Sequence, residues 1–380
     1  HKEYRRQRQM CIRDRSTSPY DETAATLSNT VRTIYGGLTV PATGGTYTAG
    51  TNTTTFAGTS GTKALNGNSR TLDFPITFNG SNCTWQLQSG FNVGSTRVTT
   101  LTAGTIDLQS YTLTSGLFNS SGSTARTLAF STGNITVNGT GTIWDTTTLT
   151  SLSITGTPVV NVSNNTATAA TIIPGSSTEA NSISFNITAG TYTLTLLGTA
   201  GNTVKNLNFT GFSGTWAAIS TSTLIYGNLT LSSGMTTATT TNVLTFGATS
   251  GTKTITGNGA TLNFGVNFNG TGGTWQLQNN FIVGSASTTT LTTGTLDLNN
   301  LTFTTGIFSS SASTTRTIAF GTSGQLAISG NNTTILNLGT TTNLLTTGTI
   351  YINCTYTGAT GTRTISSGLT EAQSVSYPVY

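Results

Sequence analysis

Leu101-Thr102-Ala103-Gly104-Thr105-Ile106-Asp107-Leu108 returns further along the chain as Leu291-Thr292-Thr293-Gly294-Thr295-Leu296-Asp297-Leu298. The same offset, from 101 to 291, carries Thr84-Trp85-Gln86-Leu87-Gln88 onto Thr274-Trp275-Gln276-Leu277-Gln278. Between residues 61–130 and 251–320 it gives 40 identities in 70 positions without a gap. Single-residue gaps extend the match from Ile34-Tyr35-Gly36 with Ile225-Tyr226-Gly227 to Thr178-Glu179-Ala180 with Thr370-Glu371-Ala372. Apolar and polar residues alternate within these stretches, the period of a strand with one buried face. No segment keeps a helical period, and none approaches the length of apolar sequence that a membrane helix needs. The expectation is an all-β chain without membrane insertion.

A shorter period lies inside the long one. Basic residues stand two positions before Ile or Leu, as in Arg32-Thr33-Ile34, Arg126-Thr127-Leu128, Lys253-Thr254-Ile255 and Arg363-Thr364-Ile365. Their gaps fall near multiples of about 16, which is two strand-plus-turn units of about eight residues. Nested repeats of short, uniform strands point to a β-solenoid, or β-helix-like array, in which each coil buries its apolar face against its neighbours. Turns rich in Gly, Asn and Ser suit coil corners. Only 7% of residues are charged, which suits stacked ladders where repeated like charges would repel. Tandem β-sandwich domains are the alternative, and both a two-sided and a three-sided coil fit the unit.

Residues 1–15 differ from the rest of the chain. They hold six of the 15 Lys and Arg and the single histidine, His1. Met10-Cys11-Ile12-Arg13-Asp14 resembles translated sequencing-adapter sequence, and a basic arm is the alternative. Without this segment nine basic and eight acidic side chains remain, a net charge of +1, so no nucleic-acid partner is expected. The organisation is then a foreign segment 1–15, a lead-in 16–33, a first long copy 34–224 and a second copy 225–380. Val379-Tyr380 stand where the first copy has Ile187-Thr188, so more strand sequence is expected after them.

Catalysis would need activated groups, and outside His1 there is no histidine to act as general base or metal ligand. The acids that remain, Asp21, Glu22, Asp73, Asp107, Asp145, Glu179, Asp297 and Glu371, read as turn or strand-edge carboxylates. Asp73 with Asp107 is the one pair that could approach across coils, but Asn263 replaces Asp73 in the second copy. The expectation is no enzyme activity, no catalytic residue and no cofactor. Cys83 and Cys354 face Gly273 and Val162 in the repeat, so neither a disulfide nor a metal site is expected. Binding candidates are Trp85, Gln86, Gln88, Trp275, Gln276, Gln278, Tyr35 and Tyr226. Trp and Leu share one face of Trp-Gln-Leu-Gln and the two Gln the other. Facing inward, the leading reading, the tryptophans are core; facing outward, they could stack on sugar rings while the glutamines hold hydroxyls. The basic residues before Thr-Ile or Thr-Leu read as solvated corner residues, with an anion-binding stripe as the alternative.

Ile225-Tyr226-Gly227-Asn228-Leu229-Thr230-Leu231-Ser232-Ser233-Gly234 and Leu72-Asp73-Phe74-Pro75-Ile76-Thr77-Phe78-Asn79-Gly80 resemble long Thr/Gly/Asn-rich β-strand repeat proteins of environmental tailed phages and bacterial surfaces. The resemblance covers about residues 26–380. It implies an extracellular fibre or surface adhesin, on a cell or a virion, with cell-surface polysaccharide as partner. It also implies a homo-oligomer, trimeric in a phage fibre. It supplies no catalytic residues; the alternatives are a polysaccharide-degrading enzyme built on a β-helix and a passive spacer whose function lies in missing ends.

Overall fold

The computed structural model describes residues 31–44, 47–165, 169–197, 201–217, 223–339, 342–355 and 363–366, and the backbone of 20–21. Segment 1–15 and the acids Glu22 and Glu371 lie outside these residues. The chain divides into two compact units, 1–175 and 176–380, and each is a β-solenoid.

In the first unit, Thr54–Phe56, Gly61–Asn66 and Thr71–Leu72 form the three sides of one coil. The next coil lies against it in parallel, with Thr54 opposite Ile76, Gly61 opposite Cys83 and Thr71 opposite Asn92. All three sides therefore advance by nearly the same length of chain. The second unit repeats the geometry, with Val243 opposite Gly265, Gly251 opposite Gly273 and Thr261 opposite Ile282. Parallel pairing at a near-constant offset is the signature of stacked coils, whereas a sandwich is built from antiparallel strands. The coil is therefore three-sided. The 16-residue spacing of basic residues does not mark it; the gap from Lys63 to Arg126, like that from Lys253 to Arg316, spans about three coils.

Alternation sends every second side chain inward. In Ile76–Leu87 the residues Ile76, Phe78, Cys83, Trp85 and Leu87 are buried, with a bulge between Phe78 and Thr84 at the corner between two sides. Rings stack on rings from coil to coil: Phe56 and Phe78 lie 5.0 Å apart at 12°, with Trp85 against both. Phe246, Phe268 and Trp275 repeat this cluster, the two phenyl rings 5.1 Å apart at 10°. The corner glycines make room for the indoles. A methyl on Gly104 would meet Trp85 at 3.0 Å and the Gly80 carbonyl at 2.2 Å, and Gly104 has φ +85°. Gly294 does the same for Trp275, also at φ +85°. Left-handed Asn68 and Asn258 turn equivalent corners between the second and third sides.

Two basic residues contradict the expectation of solvated corners. Arg126 is 3% exposed and Arg316 fully buried. Arg316 Nε donates to Ser310 Oγ at 2.8 Å, and its terminal nitrogens donate to the carbonyls of Ser310 (2.7 Å), Thr314 (3.0 Å) and Thr342 (3.1 Å). Ser310 Oγ in turn donates to Leu291 O at 3.3 Å, so one guanidinium and one hydroxyl tie three successive coils. Arg126 makes the same set with Ser120, Thr124 and Thr148, and Ser120 Oγ reaches Leu101 O. The physical reason is that the short loop before each arginine, Ser120 to Arg126 and Ser310 to Arg316, closes over a corner and leaves carbonyls pointing inward. The planar five-donor fork of arginine satisfies several at once. Burial lowers both guanidinium pKa values from their ordinary value, and arginine stays charged regardless.

Cys83 is buried and Cys354 half-buried, neither of them in a disulfide, and burial pushes the Cys354 thiol pKa up. Among the described residues no helix is long and apolar enough to cross a membrane.

Candidate functional site

The second side of the coil carries two outward rows that recur in both units. In the first unit Thr62, Thr84, Thr105, Thr127 and Ser153 stand in register on successive strands. In the second, Thr252, Thr274, Thr295 and Thr317 do so. Neighbouring strands lie about 4.8 Å apart, so each row is a regular file of hydroxyls and methyls.

Two positions further along the strands, Gln86 pairs in register with Asp107, and Gln276 with Asp297. Gln86 Nε2 donates to Asp107 Oδ2 at 3.2 Å, and Gln88 Nε2 donates to Gln86 Oε1 at 3.0 Å. Asp107 also accepts from the Gln109 amide (3.0 Å) and from Gln109 Nε2 (2.5 Å). In the second unit Gln276 Nε2 reaches Asp297 Oδ2 at 2.9 Å, Gln278 Nε2 reaches Gln276 Oε1 at 3.2 Å, and the Asn299 amide reaches Asp297 Oδ1 at 2.9 Å. Each carboxylate is thus a turn acceptor that also orients an amide chain spanning two coils. Gln88 and Gln278 end those chains exposed to solvent.

The alternation of the sequence places the glutamines outward, where they are. It leaves open an outward, sugar-stacking role for Trp85 and Trp275, and that role is excluded. Both are 0% exposed, because the indole parity matches Leu87 and Leu277 on the core face. Their Nε1 groups have no hydrogen-bond partner, so each ring is a purely packing element. Tyr35 is 38% exposed, whereas Tyr226 is half-buried and its hydroxyl donates to Ser177 O at 3.2 Å. Asp73 does not join Asp107: its Oδ1 accepts from Arg97 Nε at 2.8 Å, at the corner between the third side and the next coil.

One contact has only a weak trace in the sequence. Glu179 Oε2 accepts from the amide and the hydroxyl of Thr249, at 3.0 and 2.6 Å. Burial pushes this carboxyl up, but the Thr249 hydroxyl and amide, with Lys253 and Lys205 nearby, together hold it below the usual carboxylate value. The traceable signal is the motif Thr-Ser-Gly-Thr-Lys, present at 59–63 and 249–253.

Among the described residues no group of three or more His, Cys, Asp or Glu is placed to hold a metal ion. The cavity among Ile34, Phe56, Phe74 and Ile76 is interior and has room for about one water molecule. No protein-family model matches the chain, and no curated protein or solved structure matches it either.

Proposed function

We propose that the chain is a fibrous structural and adhesive protein of a phage tail appendage or a bacterial surface, binding surface polysaccharide at many shallow points. One observation carries this reading. The Thr row and the adjoining Gln–Asp amide chain occur at the same register in both copies, on an outward face with few charges. The file of hydroxyls offers a polysaccharide the same donors and acceptors on successive coils, and the amide chain adds one oriented polar group beside it in each copy. Weak contacts then add through effective concentration. The solenoid fold fits this role because stacking repeats a surface as faithfully as it repeats a core.

The experiment is a glycan array probed with the full chain and with a Gln86→Leu/Gln276→Leu double variant. Binding to a polysaccharide that falls at least about tenfold in the variant supports the reading, since two polar chains lose their central amide. Absence of binding to every glycan makes the chain a passive spacer and overturns it.

A further inference from the structure

In the second unit the segment 176–181 runs along the edge between the first and second sides, against the coils that follow it. Asn202–Val204, Thr223–Ile225 and Val243–Phe246 stack in register on the first side of three successive coils. The segment bonds to each of these coils. The Ser177 amide donates to Thr203 Oγ1 at 2.6 Å, and the two hydroxyl oxygens also lie 2.6 Å apart. The Tyr226 hydroxyl donates to Ser177 O at 3.2 Å. On the third coil Thr249 gives both its amide and its hydroxyl to Glu179 Oε2. A single 3₁₀ turn, Glu179–Asn181, fixes the glutamate, whose carbonyl takes the Ser182 hydroxyl at 2.9 Å.

A solenoid coil normally touches only its two neighbours. Here Thr203 and Thr249 stand two coils apart, about 10 Å along the stack, and one short strap joins them. The tie ends in a carboxylate, the only titratable side chain between residues 176 and 182. Lys205 of the first coil, Tyr226 of the second and Lys253 of the third lie close enough to interact with it electrostatically. Among the described residues of the second unit the other carboxylate is Asp297, which is held by Gln276 and Asn299.

We propose that this strap is a pH-operated clasp on the second unit: ionised Glu179 binds the three coils into one block, and its protonation lets them loosen together. Protonation takes the charge from both Thr249 bonds, which are stronger to a carboxylate than to a neutral acid. It also leaves Lys205 and Lys253 without the negative charge beside them. The remaining contacts, those of Ser177, reach only the first two coils, so the third leaves the block. The clasp acts whether or not the outer rows bind polysaccharide.

Hydrogen exchange of the full chain between about pH 6 and pH 2, corrected for intrinsic rates, tests the clasp. The reporting bonds cross the strapped edge from coil to coil: the amides of Tyr226, Gly227 and Gly247 to the carbonyls of Val204, Lys205 and Ile225. The expected result is that all three lose protection about tenfold or more over one pH interval. The amides of Ser310 and Ser329, on later coils of the same unit, stay as they were. Glu179→Gln, the neutral counterpart, gives the loosened state at every pH. Tyr226→Phe removes a bond but no charge, so it lowers protection and keeps the acid transition. Protection that persists into acid at the three amides, or exchange confined to residues 176–181, overturns the proposal. So does an acid transition that survives Glu179→Gln.

Discussion

Cys83 Sγ occupies the space into which a side chain on Gly58 would project: a methyl there would come within 2.7 Å of the sulfur. In the second copy the pair is exchanged. Ala248 stands where Gly58 does, and Gly273 where Cys83 does; a methyl on Gly273 would approach the Ala248 methyl to 3.0 Å and the Ala248 carbonyl to 2.7 Å. Each pair of neighbouring coils has room for one side chain at this corner, and the copies fill it from opposite coils.

Gly58→Ala is accordingly expected to destabilise the first unit by about 1–3 kcal/mol through overpacking. Adding Cys83→Gly, which recreates the arrangement of the second copy, recovers most of that loss. Denaturant melts of the two single variants and the double variant give the coupling energy. Additive losses would contradict the exchange.

The buried arginines are structural ties. Replacing Arg316 by Met removes the donors from the Ser310, Thr314 and Thr342 carbonyls, and is expected to cost about 3 kcal/mol or more, the penalty of leaving buried acceptors unpaired. Arg316→Lys should recover little, because an ammonium lacks the planar fork that reaches carbonyls on two coils. Hydrogen exchange at Thr314–Arg316 and Thr342–Leu344 would report the loosening, and a lysine variant with native protection would refute the tie.

The strap at Glu179 should open on acidification. Its folded-state pKa lies below the ordinary value, so its contribution is fully present above the unfolded pKa and is lost as pH falls through the depressed folded value. Proteolysis or hydrogen exchange of residues 176–181 between about pH 6 and pH 2 should show release at the acid end. Glu179→Gln should abolish that pH dependence; retention of it in the variant would place the transition elsewhere.

All four tryptophans, Trp85, Trp144, Trp216 and Trp275, are 0% exposed. Their emission should be blue-shifted and poorly quenched by acrylamide, and saturating polysaccharide should leave it unchanged. A spectral shift on glycan binding would restore the stacking role that burial denies them.

Where the sequence is legible, the reason is periodicity. The offset that carries Leu101 onto Leu291 and the alternation in Trp85-Gln86-Leu87-Gln88 arise from a coil that repeats its core, so they mark both the fold class and the outward placement of Gln86 and Gln88. Coil size is not legible, because corners vary in length: Val98 pairs with Leu117, whereas Gly141 pairs with the much more distant Ala170. Arg126 and Arg316 are misleading in sequence because a charge in a Thr-rich strand looks solvated until the closing loop supplies carbonyls. Parity with Leu87 favours an inward Trp85, but the room for its ring comes from Gly80 and Gly104, one of which lies on the next coil.

The length of saccharide needed for binding tests the shallow, repeated contact most directly. The Thr62–Ser153 row crosses five coils, about 19 Å at the strand spacing. Calorimetric titration of the chain with one polysaccharide cut to graded lengths should show affinity rising about 100-fold or more as the saccharide approaches that span, then levelling off. Full affinity for a mono- or disaccharide, or affinity indifferent to length, would contradict the account.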